Sequence, residues 1–363
     1  MNADGLRTAY SGKRVFLTGH TGFKGSWMAL WLKKLGAEVV GYALAPDQPQ
    51  GIFLAAGIEA VCEHHVADVR DPAAVRAAIV AARPQIVFHL AAQPLVRKSY
   101  NEPLETLDTN VRGTAHVLEA LKALKAPVAC VVVTSDKCYE NQEWIYGYRE
   151  TEPMGGHDVY SMSKAAAELV TSSWRRSFFP VDKLASHGVK VASARAGNVI
   201  GGGDWAADRI VPDAILALTE GRSIGVRSPK SVRPWQHVLE PVGGYLWLGA
   251  KLLGEKPESF CEAWNFGPDF SATVAVAPLV EKLIAAWGSG KWEDLSRPDA
   301  KHEASLLRLA IEKAQVRLGW TPRWNLETAV RHTVDWYRAQ STGATAEKLR
   351  ALCEAQIAAY LSA

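Results

Sequence analysis

The chain has no long hydrophobic run and little net charge, and each shortage excludes a class of protein. No stretch approaches the ~18 consecutive apolar residues of a membrane span. The segment before Val15 carries an early aspartate and no apolar core, so it does not resemble a signal peptide. The net charge of +3, spread along the chain, does not predict a nucleic-acid surface. We therefore expect a cytoplasmic protein with neither a membrane nor a nucleic-acid partner.

Cysteine is also scarce. The 5 cysteines are odd in number, widely separated and free of CxxC spacing, which argues against a disulfide framework and against a zinc site. The sequence predicts reduced thiols and no bound metal. With 363 residues, 48% hydrophobic and 22% charged, the chain has the composition of a globular enzyme with one large core or two smaller ones.

What the chain does contain is an alternation of short apolar runs with helical patterns. The predicted strands are RVFLTG, AEVVGYAL, AVCEHHVAD, QIVFHLAA, APVACVVVTS and KVASARAGNVI, several of them near-continuously apolar, which is typical of strands buried on both faces. Between the first two lies GSWMALWLKKLG, in which Trp27, Trp31 and Leu35 recur at helical spacing and Gly36 can end the helix. The pattern predicts an α/β fold with a doubly wound, Rossmann-like parallel sheet.

The alternation breaks after about Gly197, returns at EAWNFGPD and gives way to a mostly helical remainder. We expect a dinucleotide-binding domain of residues 1–197 plus about 236–267, and a smaller, discontinuous, mostly helical substrate lobe of about 198–235 plus 268–363. The amphipathic C-terminal segment AEKLRALCEAQIAAYLSA fits either packing within the chain or a subunit contact.

Three glycines, Gly19, Gly22 and Gly25, follow the first strand and open a helix, which is the context of a dinucleotide-binding turn. One permits the turn, another lets backbone amides approach a pyrophosphate, and the last allows close packing of helix on strand, while the helix N-terminus attracts negative charge. An ordinary tight turn is the alternative. The cofactor site predicted here comprises Gly19, His20, Thr21, Gly22, Phe23, Lys24 and Gly25, in which Lys24 could reach a phosphate or remain solvated.

The end of the second strand, GYALAPDQP, lacks the acidic residue that usually binds the ribose hydroxyls, so NAD and NADP both remain open. Asp68, after the third strand, is predicted to meet the adenine, with a helix cap as the alternative. The end of the fourth strand should border the cofactor through Leu90, Ala91 and Ala92 and the substrate through Gln93.

Tyr160 and Lys164 lie four residues apart in DVYSMSKAAAE and should share one face of a helix. A nearby cation and an oxidised nicotinamide would both favour the phenolate, making Tyr160 a base for an alcohol proton. The pairing is weak evidence alone. It gains weight beside the glycine turn and TSDKCYEN, where Ser135 could bind the same hydroxyl.

Over nearly its whole length the chain resembles the extended short-chain dehydrogenases/reductases, and among these the CDP-glucose 4,6-dehydratase family. The strings that carry the resemblance are TGHTGFKGSW, TSDKCYEN, YSMSK, RAGNVIGGGDW and RPWQHVLEP. The resemblance implies a bound NAD and conversion of CDP-D-glucose to CDP-4-keto-6-deoxy-D-glucose, on the route to dideoxyhexoses of bacterial O-antigen. It makes the smaller lobe a nucleotide-sugar-binding domain. We expect a homodimer or homotetramer.

The resemblance also implies roles for the residues after Ser135. Tyr160 would take the O4 proton while hydride leaves C4, after which water is eliminated across C5 and C6. Asp136 and Lys137 are the candidate acid and base. In the related dTDP-glucose enzymes this pair is Asp-Glu, so Lys137 either acts as base with a strongly lowered pKa or donates a proton or stabilises charge. A helix cap with a surface lysine is the alternative.

Downstream, Asn198 could donate to the diphosphate or the sugar, and Arg209 and Arg233 could pair with phosphates or form surface ion pairs. His237 completes the substrate-binding candidates, with a structural role as its alternative. Two other functions remain: a nucleotide-sugar 4-epimerase, which needs no acid for water loss, and a dinucleotide-sensing regulator without catalysis. The Ser-Asp-Lys string favours the dehydratase.

Overall fold

The structure is a computed structural model and describes residues 2–296 and 306–363. The strands are β1 (Arg14–Thr18), β2 (Glu38–Ala43), β3 (Glu63–Val66), β4 (Ile86–His89), β5 (Val128–Val133), β6 (Val189–Ala196), β7 (Val199–Ile200), β8 (Ile224–Val226), β9 (Val232–Pro234), β10 (Gln236–His237), β11 (Ala263–Phe266), β12 (Thr273–Ala275) and β13 (Trp292–Asp294).

The helices alternate with these strands in the first part of the chain and dominate its end. The α-helices are α1 (Ala3–Tyr10), α2 (Phe23–Lys34), α3 (Ile52–Ala55), α4 (Pro72–Ala82), α5 (Val96–Asn101), α6 (Pro103–Leu107), α7 (Gly113–Leu121), α8 (Val159–Ser177), α9 (Leu184–His187), α10 (Ile210–Thr219), α11 (Leu239–Leu253), α12 (Val276–Trp287), α13 (Leu326–Ser341) and α14 (Ala346–Ser362). Single 3₁₀ turns cover Ile58–Val61, Asp136–Cys138, Val181–Lys183, Pro257–Phe260 and Phe270–Ala272, and π-helical turns cover Asp108–Arg112 and Ala314–Leu318.

Seven strands form one parallel sheet in the order β11-β6-β5-β4-β1-β2-β3. The order reverses between β1 and β4, and the crevice at such a switch point is where α/β proteins bind ligands. Thr18 at the end of β1 lies beside both Tyr42 and His89, so the loops after these strands begin at one edge. The predicted doubly wound parallel sheet is confirmed.

Both faces of this sheet are buried, which explains the near-continuous apolar runs. Val15 and Leu17 face one core with Trp27 and Trp31 of α2. Phe16, between them, faces the other core, which contains residues of α4 and α7. Only the edge strand β3 among the sheet strands is mostly polar and exposed along the described chain.

The segments after β6 build small strand pairs, β7 with β10, β9 with β12 and β8 with β13, and a layer of α10, α12 and α13. The strand β11 returns to the central sheet beside β6. The terminal helix α14 packs on α2 and α13 through a buried face that includes Leu349, Ile357 and Tyr360, which confirms packing within the chain. No helix among the described residues combines the length and apolarity needed to cross a membrane.

Candidate active site

The glycine turn joins β1 to α2 as predicted, and its three glycines meet different physical needs. Gly19 has φ +76°, and a Cβ there would lie 2.7 Å from the backbone nitrogen of Ala91 on the neighbouring strand's loop. A Cβ on Gly25 would lie 2.0 Å from the carbonyl oxygen of Gly19. Gly22 is exposed, and a Cβ there would meet only that oxygen, at 3.4 Å. Gly19 and Gly25 are therefore needed by the fold, whereas Gly22 is open to a ligand.

His20 points away from this opening. Its imidazole is fully buried, its Nε2 shares a 2.6 Å hydrogen bond with His64 Nδ1, and it packs edge-on against Phe53. Burial and the charges of His64 and His65 lower the pKa of His20 to about 4. The His20 side chain is therefore occupied by protein partners, and the prediction that His20 belongs to the cofactor site stays a prediction for its backbone.

Other members of the turn are held by the protein around them. Thr21 donates its hydroxyl to the carbonyl of Leu44 at the end of β2, and Phe23 lies against Gly201. Lys24, in the first turn of α2, lies near the catalytic side chains. Burial and the charge of Arg209 lower the pKa of Lys24 to about 8, whereas the carboxylates of Asp136 and Asp204 raise it.

The end of β4 borders the turn as predicted. The amides of Leu90 and Ala91 both donate to Thr18 Oγ1 at 3.1 Å, which fixes this loop beside Gly19, and Ala92 follows it half-buried. Gln93 has a different role from the predicted substrate contact. Its Oε1 accepts from the amide of Leu95, and its Nε2 donates to the Leu95 carbonyl and to Thr106 Oγ1, so its amide group is occupied in shaping the loop.

Asp68 lies after β3, where the adenine contact was predicted, and that contact stays a prediction. The alternative, a helix cap, is wrong, because Asp71 caps α4 through the amides of Ala73 and Ala74. The Asp68 carboxylate instead accepts from the backbone and guanidinium of Arg70, and these bonds outweigh burial and lower its pKa.

The catalytic candidates converge where β5 ends against the N-terminal turns of α8. Asp158 caps α8 by accepting from Ser161, and Tyr160 and Lys164 follow on one buried face of this helix, as predicted. Ser135 begins the turn after β5 and lies near Tyr160, where its hydroxyl opposes the rise in the pKa of Tyr160. The side chains of Ser135, Asp136 and Tyr160 are thus brought together from two elements.

In the chain alone, burial is the largest influence on the Tyr160 hydroxyl, and the favouring of its phenolate by Lys164 and an oxidised nicotinamide stays a prediction. Burial raises the pKa of Tyr160 to about 12, and the groups opposing this rise are Ser135 and Arg209 rather than Lys164. Lys164 itself is buried, and desolvation together with Lys24 lowers its pKa to about 8. Sequence spacing placed the two residues on one face but could not reveal the cost of burying a phenolate.

Asp136 is a buried acid with a free oxygen. It is 3% exposed, its Oδ1 accepts from Ser135 Oγ at 3.0 Å, and its Oδ2 has no hydrogen-bond partner among the described residues. Burial raises the pKa of Asp136 against the opposing charges of Lys137, Lys24 and Arg233. Such a carboxyl is suited to donate a proton. Lys137, half-buried, lies next to it in the turn.

Both arginines predicted to bind phosphate reach the same region. Arg209 pairs with Asp204 at 2.6 Å, and its charge acts on both Tyr160 and Lys24. The charge of Arg233, on β9, acts on Asp136. Asn198 lies half-buried between β6 and β7, where its carbonyl accepts from the Gln236 amide.

His237 does not reach this cleft. It is fully buried against the rings of Trp27, Trp324 and His332, and its Nδ1 accepts from the amide of Leu239. Burial and the charge of His332 lower its pKa well below the ordinary value. The structural alternative is therefore favoured, and the predicted substrate contact is contradicted.

Three residues that sequence reasoning missed support the site. Asn110, in the π-helical turn, accepts from the Gln93 amide and donates to Ser163 Oγ, one turn along α8 from Tyr160. Glu168 and Arg195, both 4% exposed, form a 2.8 Å ion pair behind Lys164. Glu168 follows Lys164 at the same four-residue spacing that identified the catalytic pair, and this was the available signal.

The turn and cleft fit a dinucleotide. Gly22 leaves an opening without a side chain at the start of α2, whose first amide groups have no partners within the helix. In residues 2–296 and 306–363, no group of three or more His, Cys, Asp or Glu side chains could hold a metal.

Comparison with known proteins agrees with this geometry. A CDP-glucose 4,6-dehydratase of Salmonella typhimurium is 47% identical over 354 residues, covering 98% of both chains. A dTDP-glucose 4,6-dehydratase structure from Streptomyces venezuelae, solved with NAD, superposes with a TM-score of 0.76 at 21% identity, covering 91% of this chain and 98% of that one.

The fold is shared with epimerases as well. A UDP-glucose 4-epimerase structure from Thermotoga maritima has a TM-score of 0.74 at 23% identity and covers 90% of this chain and 99% of that one. Residues 15–261 match the NAD dependent epimerase/dehydratase family. This matched range contains the glycine turn and the Ser-Tyr-Lys set. The chain belongs to the NAD dependent epimerase/dehydratase family.

Proposed function

We propose that the chain is an NAD-dependent hydro-lyase that converts CDP-D-glucose to CDP-4-keto-6-deoxy-D-glucose and water. The observation that carries the proposal is Asp136, a buried acid near the candidate base Tyr160. Its Oδ1 accepts from Ser135, and its Oδ2 has no hydrogen-bond partner in the described part of the chain. Loss of the C6 hydroxyl as water requires such an acid. The identity of 47% with a CDP-glucose 4,6-dehydratase over 98% of both chains supports the same reaction.

The chain's residues divide the reaction between them. The glycine turn of Gly19, Gly22 and Gly25 would hold NAD, which would supply the hydride chemistry at C4 and C6. Tyr160 takes the O4 proton, and Ser135 orients the O4 hydroxyl. Lys164, whose pKa is lowered to about 8, is mostly protonated at neutral pH and would supply positive charge in the cleft. Asp136 donates its proton to the C6 hydroxyl as water leaves.

The C5 proton becomes acidic once C4 is a ketone, and a base must remove it. Lys137 adjoins Asp136 and is our candidate for this base or for a cation that stabilises the enolate. Lys24 is a second amine in the same cleft, with a pKa lowered to about 8. Arg209 and Arg233 are proposed to bind the diphosphate and sugar, because their charges act on Tyr160 and Asp136. Asn198, half-buried between β6 and β7, is proposed to join them.

A 4-epimerase is less well supported. Epimerisation requires oxidation and reduction at C4 alone, so it gives no role to a buried acid beside the sugar-oxidising tyrosine. A regulator without activity is also less well supported. Such a protein would not need Tyr160 and Lys164, yet both lie on α8.

The proposal extends to the setting of the enzyme. We infer a cytoplasmic homodimer or homotetramer that supplies a 4-keto-6-deoxy sugar for bacterial O-antigen, and we infer NAD rather than NADP. The free state of all five cysteines supports a reducing compartment. Leu44, 56% exposed at the end of β2, offers no charge to a 2′-phosphate, which supports NAD.

The test is incubation of the protein and NAD with CDP-, UDP-, GDP- and dTDP-glucose, followed by mass measurement of the nucleotide sugars. We expect loss of one water from CDP-glucose. Conversion of any of the four to an epimer of unchanged mass, separated from its substrate by chromatography, would instead indicate an epimerase. The Asp136→Asn variant should still oxidise C4, seen as accumulated reduced cofactor, yet form no dehydrated product. The Tyr160→Phe variant should bind the sugar but lose roughly 10²–10⁴-fold in kcat.

A further inference from the structure

The acid of the proposed reaction lies against a glycine that follows β6. A Cβ built on Gly197 would lie 2.7 Å from Asp136 Oδ2 and 3.3 Å from Asp136 Cγ. Because unbonded heavy atoms pack best at about 3.5–4.0 Å, the carboxyl occupies the place where another residue would carry its side chain. The Cγ of Pro234 would lie 3.4 Å from the same Cβ, so the proline ring borders this space. The space between Gly197 and Pro234 is the carboxyl pocket.

The backbone does not itself require a glycine at position 197. The φ of Gly197 is not positive, so a residue with a side chain could adopt its conformation. Gly19 differs, because its φ of +76° favours glycine whatever the space around it. The missing side chain of Gly197 is therefore a matter of room, and the atoms that come closest into that room belong to the candidate acid.

The carboxyl pocket gives one oxygen of Asp136 apolar surroundings. Oδ1 accepts from Ser135 Oγ, whereas Oδ2 has no hydrogen-bond partner in the part of the chain that the structure describes. Gly197 has no side-chain donor, and the nitrogen of Pro234 carries no hydrogen. An ionised carboxylate would lose hydration at Oδ2 without a donor to replace it, so the pocket favours the neutral acid.

Charged and acidic groups from several elements act on the same carboxyl. The cations, which favour its ionised form, are Lys137 in the same turn, Lys24 on α2 and Arg233 on β9. The acidic groups that interact with its charge are Cys138 in the turn, Tyr160 on α8 and Tyr245 on α11. Burial has the largest effect and raises the pKa of Asp136 in spite of the three cations. The desolvation that the carboxyl pocket provides therefore matters more than the charges around it.

We propose that Gly197 is a positioning residue whose missing side chain lets the Asp136 carboxyl lie out of water, where it is kept ready as the acid for the C6 hydroxyl. This inference rests on the proposed function, because only dehydration needs that acid. Oxidation at C4, for which Tyr160 is the base, does not use it. A side chain at position 197 should therefore slow water loss and leave hydride transfer from C4 unaffected.

The first measurement needs no substrate. The infrared band of the protonated Asp136 carboxyl, identified by its absence from Asp136→Asn, is titrated in the NAD-loaded wild type and in Gly197→Ala. The alanine variant should fold, because the atom nearest to its Cβ is the end of a side chain that can turn away. The displaced carboxyl should be better hydrated, so the pKa of Asp136 should fall by about one pH unit. An unchanged midpoint would overturn the proposal.

The second measurement follows one turnover of CDP-glucose by the absorbance of the reduced cofactor. In Gly197→Ala this absorbance should appear at the wild-type rate. On the alkaline side of both midpoints its decay should be roughly tenfold slower, with CDP-4-keto-glucose that still holds its C6 hydroxyl as the quenched intermediate. Because the neutral acid is the active form, a lower pH should restore the decay. A slower appearance, or a raised KM with normal decay, would show that the methyl group obstructs the sugar and would overturn the proposal.

A second variant changes the carboxyl pocket in the opposite steric sense. Pro234→Ala removes the proline ring instead of adding a methyl group, so water can enter the same space and the infrared midpoint of Asp136 should again fall. A midpoint equal to that of the wild type would overturn the desolvating role of the pocket. A wild type that forms no dehydrated product would refute the proposed function instead, whereas the infrared midpoints test the pocket without any turnover.

Discussion

Neutralising Glu168 should weaken the fold and alter the chemistry of the site together. Its Oε2 accepts from Arg195 at 2.8 Å and from Ser193 Oγ at 2.7 Å, and its Oε1 accepts from Thr134 Oγ1 at 2.5 Å. Burial favours the neutral acid, yet Arg195 and these hydrogen bonds lower the pKa of Glu168, so the pair is ionic. Glu168→Gln keeps the shape of the side chain and removes its charge.

The expected cost follows from what the substitution leaves behind. The Arg195 guanidinium is 4% exposed and would keep only neutral acceptors, namely the Tyr139 hydroxyl, the Glu150 carbonyl and at most the one glutamine oxygen, without a carboxylate. Removing one member of a buried ion pair costs roughly 3–5 kcal/mol, out of a total stability of about 5–15 kcal/mol. The melting temperature should fall by roughly 10 °C.

The assay is urea unfolding of the variant with two controls. Glu38→Gln breaks the exposed pair with Arg14, whose side chains are 38% and 64% exposed, and should cost less than about 1 kcal/mol. The double variant Glu168→Gln with Arg195→Met removes both charges and should be more stable than Glu168→Gln alone, because no unpaired charge remains buried. A loss for Glu168→Gln no larger than for Glu38→Gln would refute the reasoning.

A second readout tests the link to catalysis. The Glu168 carboxylate raises the pKa of Lys164, whereas burial and Lys24 lower it to about 8. Without that carboxylate the Lys164 ammonium should lose its proton at lower pH, so the alkaline limb of the kcat/KM profile should shift to lower pH. Cys138 is the other acidic group that acts on Lys164. An unchanged alkaline limb would confine Glu168 to a structural role.

Three further predictions concern single side chains. Gly22→Val should fold, because a Cβ at this position meets only an oxygen at 3.4 Å. Its NAD affinity, measured by calorimetry, should fall at least about tenfold. An unchanged affinity would show that the turn does not bind NAD. Burial raises the pKa of Glu240 to about 7, because the folded chain favours the neutral carboxylic acid. The stability that neutral Glu240 contributes is therefore complete below its ordinary pKa and is lost as the pH rises through about 7. Glu240→Gln should therefore match the wild type near pH 4.5 and exceed it by roughly 3 kcal/mol above pH 7, measured by urea unfolding; parallel pH curves would contradict this. If Lys137 is the C5 base, Lys137→Ala should abolish both dehydration and the exchange of the C5 proton with deuterated solvent. If exchange survives and elimination is slowed, Lys137 only stabilises charge. Normal exchange and normal turnover would show that Lys137 is a surface lysine.

Local pattern was enough for the features that depend on neighbours in the chain. The buried strands are apolar because both faces of the sheet are covered, so their positions and the doubly wound fold could be predicted from the runs themselves. The glycine turn and the Tyr160–Lys164 pair were equally visible, since each lies within one turn or one helix. The combination of motifs also indicated the family and the reaction.

Only the tertiary structure decided how side chains share space. His20, Gln93 and His237 occur in the predicted motifs, but the folded chain surrounds each with protein partners and leaves its side chain unavailable to a ligand. The ionic state of Tyr160 depends on burial, which no spacing reveals. Ser135, Asp136 and Tyr160 illustrate both halves: the sequence supplied the residue types, but β5 and α8 had to meet to bring the acid near the base. The physical reason is that hydrogen bonding and desolvation act through distance, whereas the sequence records only order along the chain.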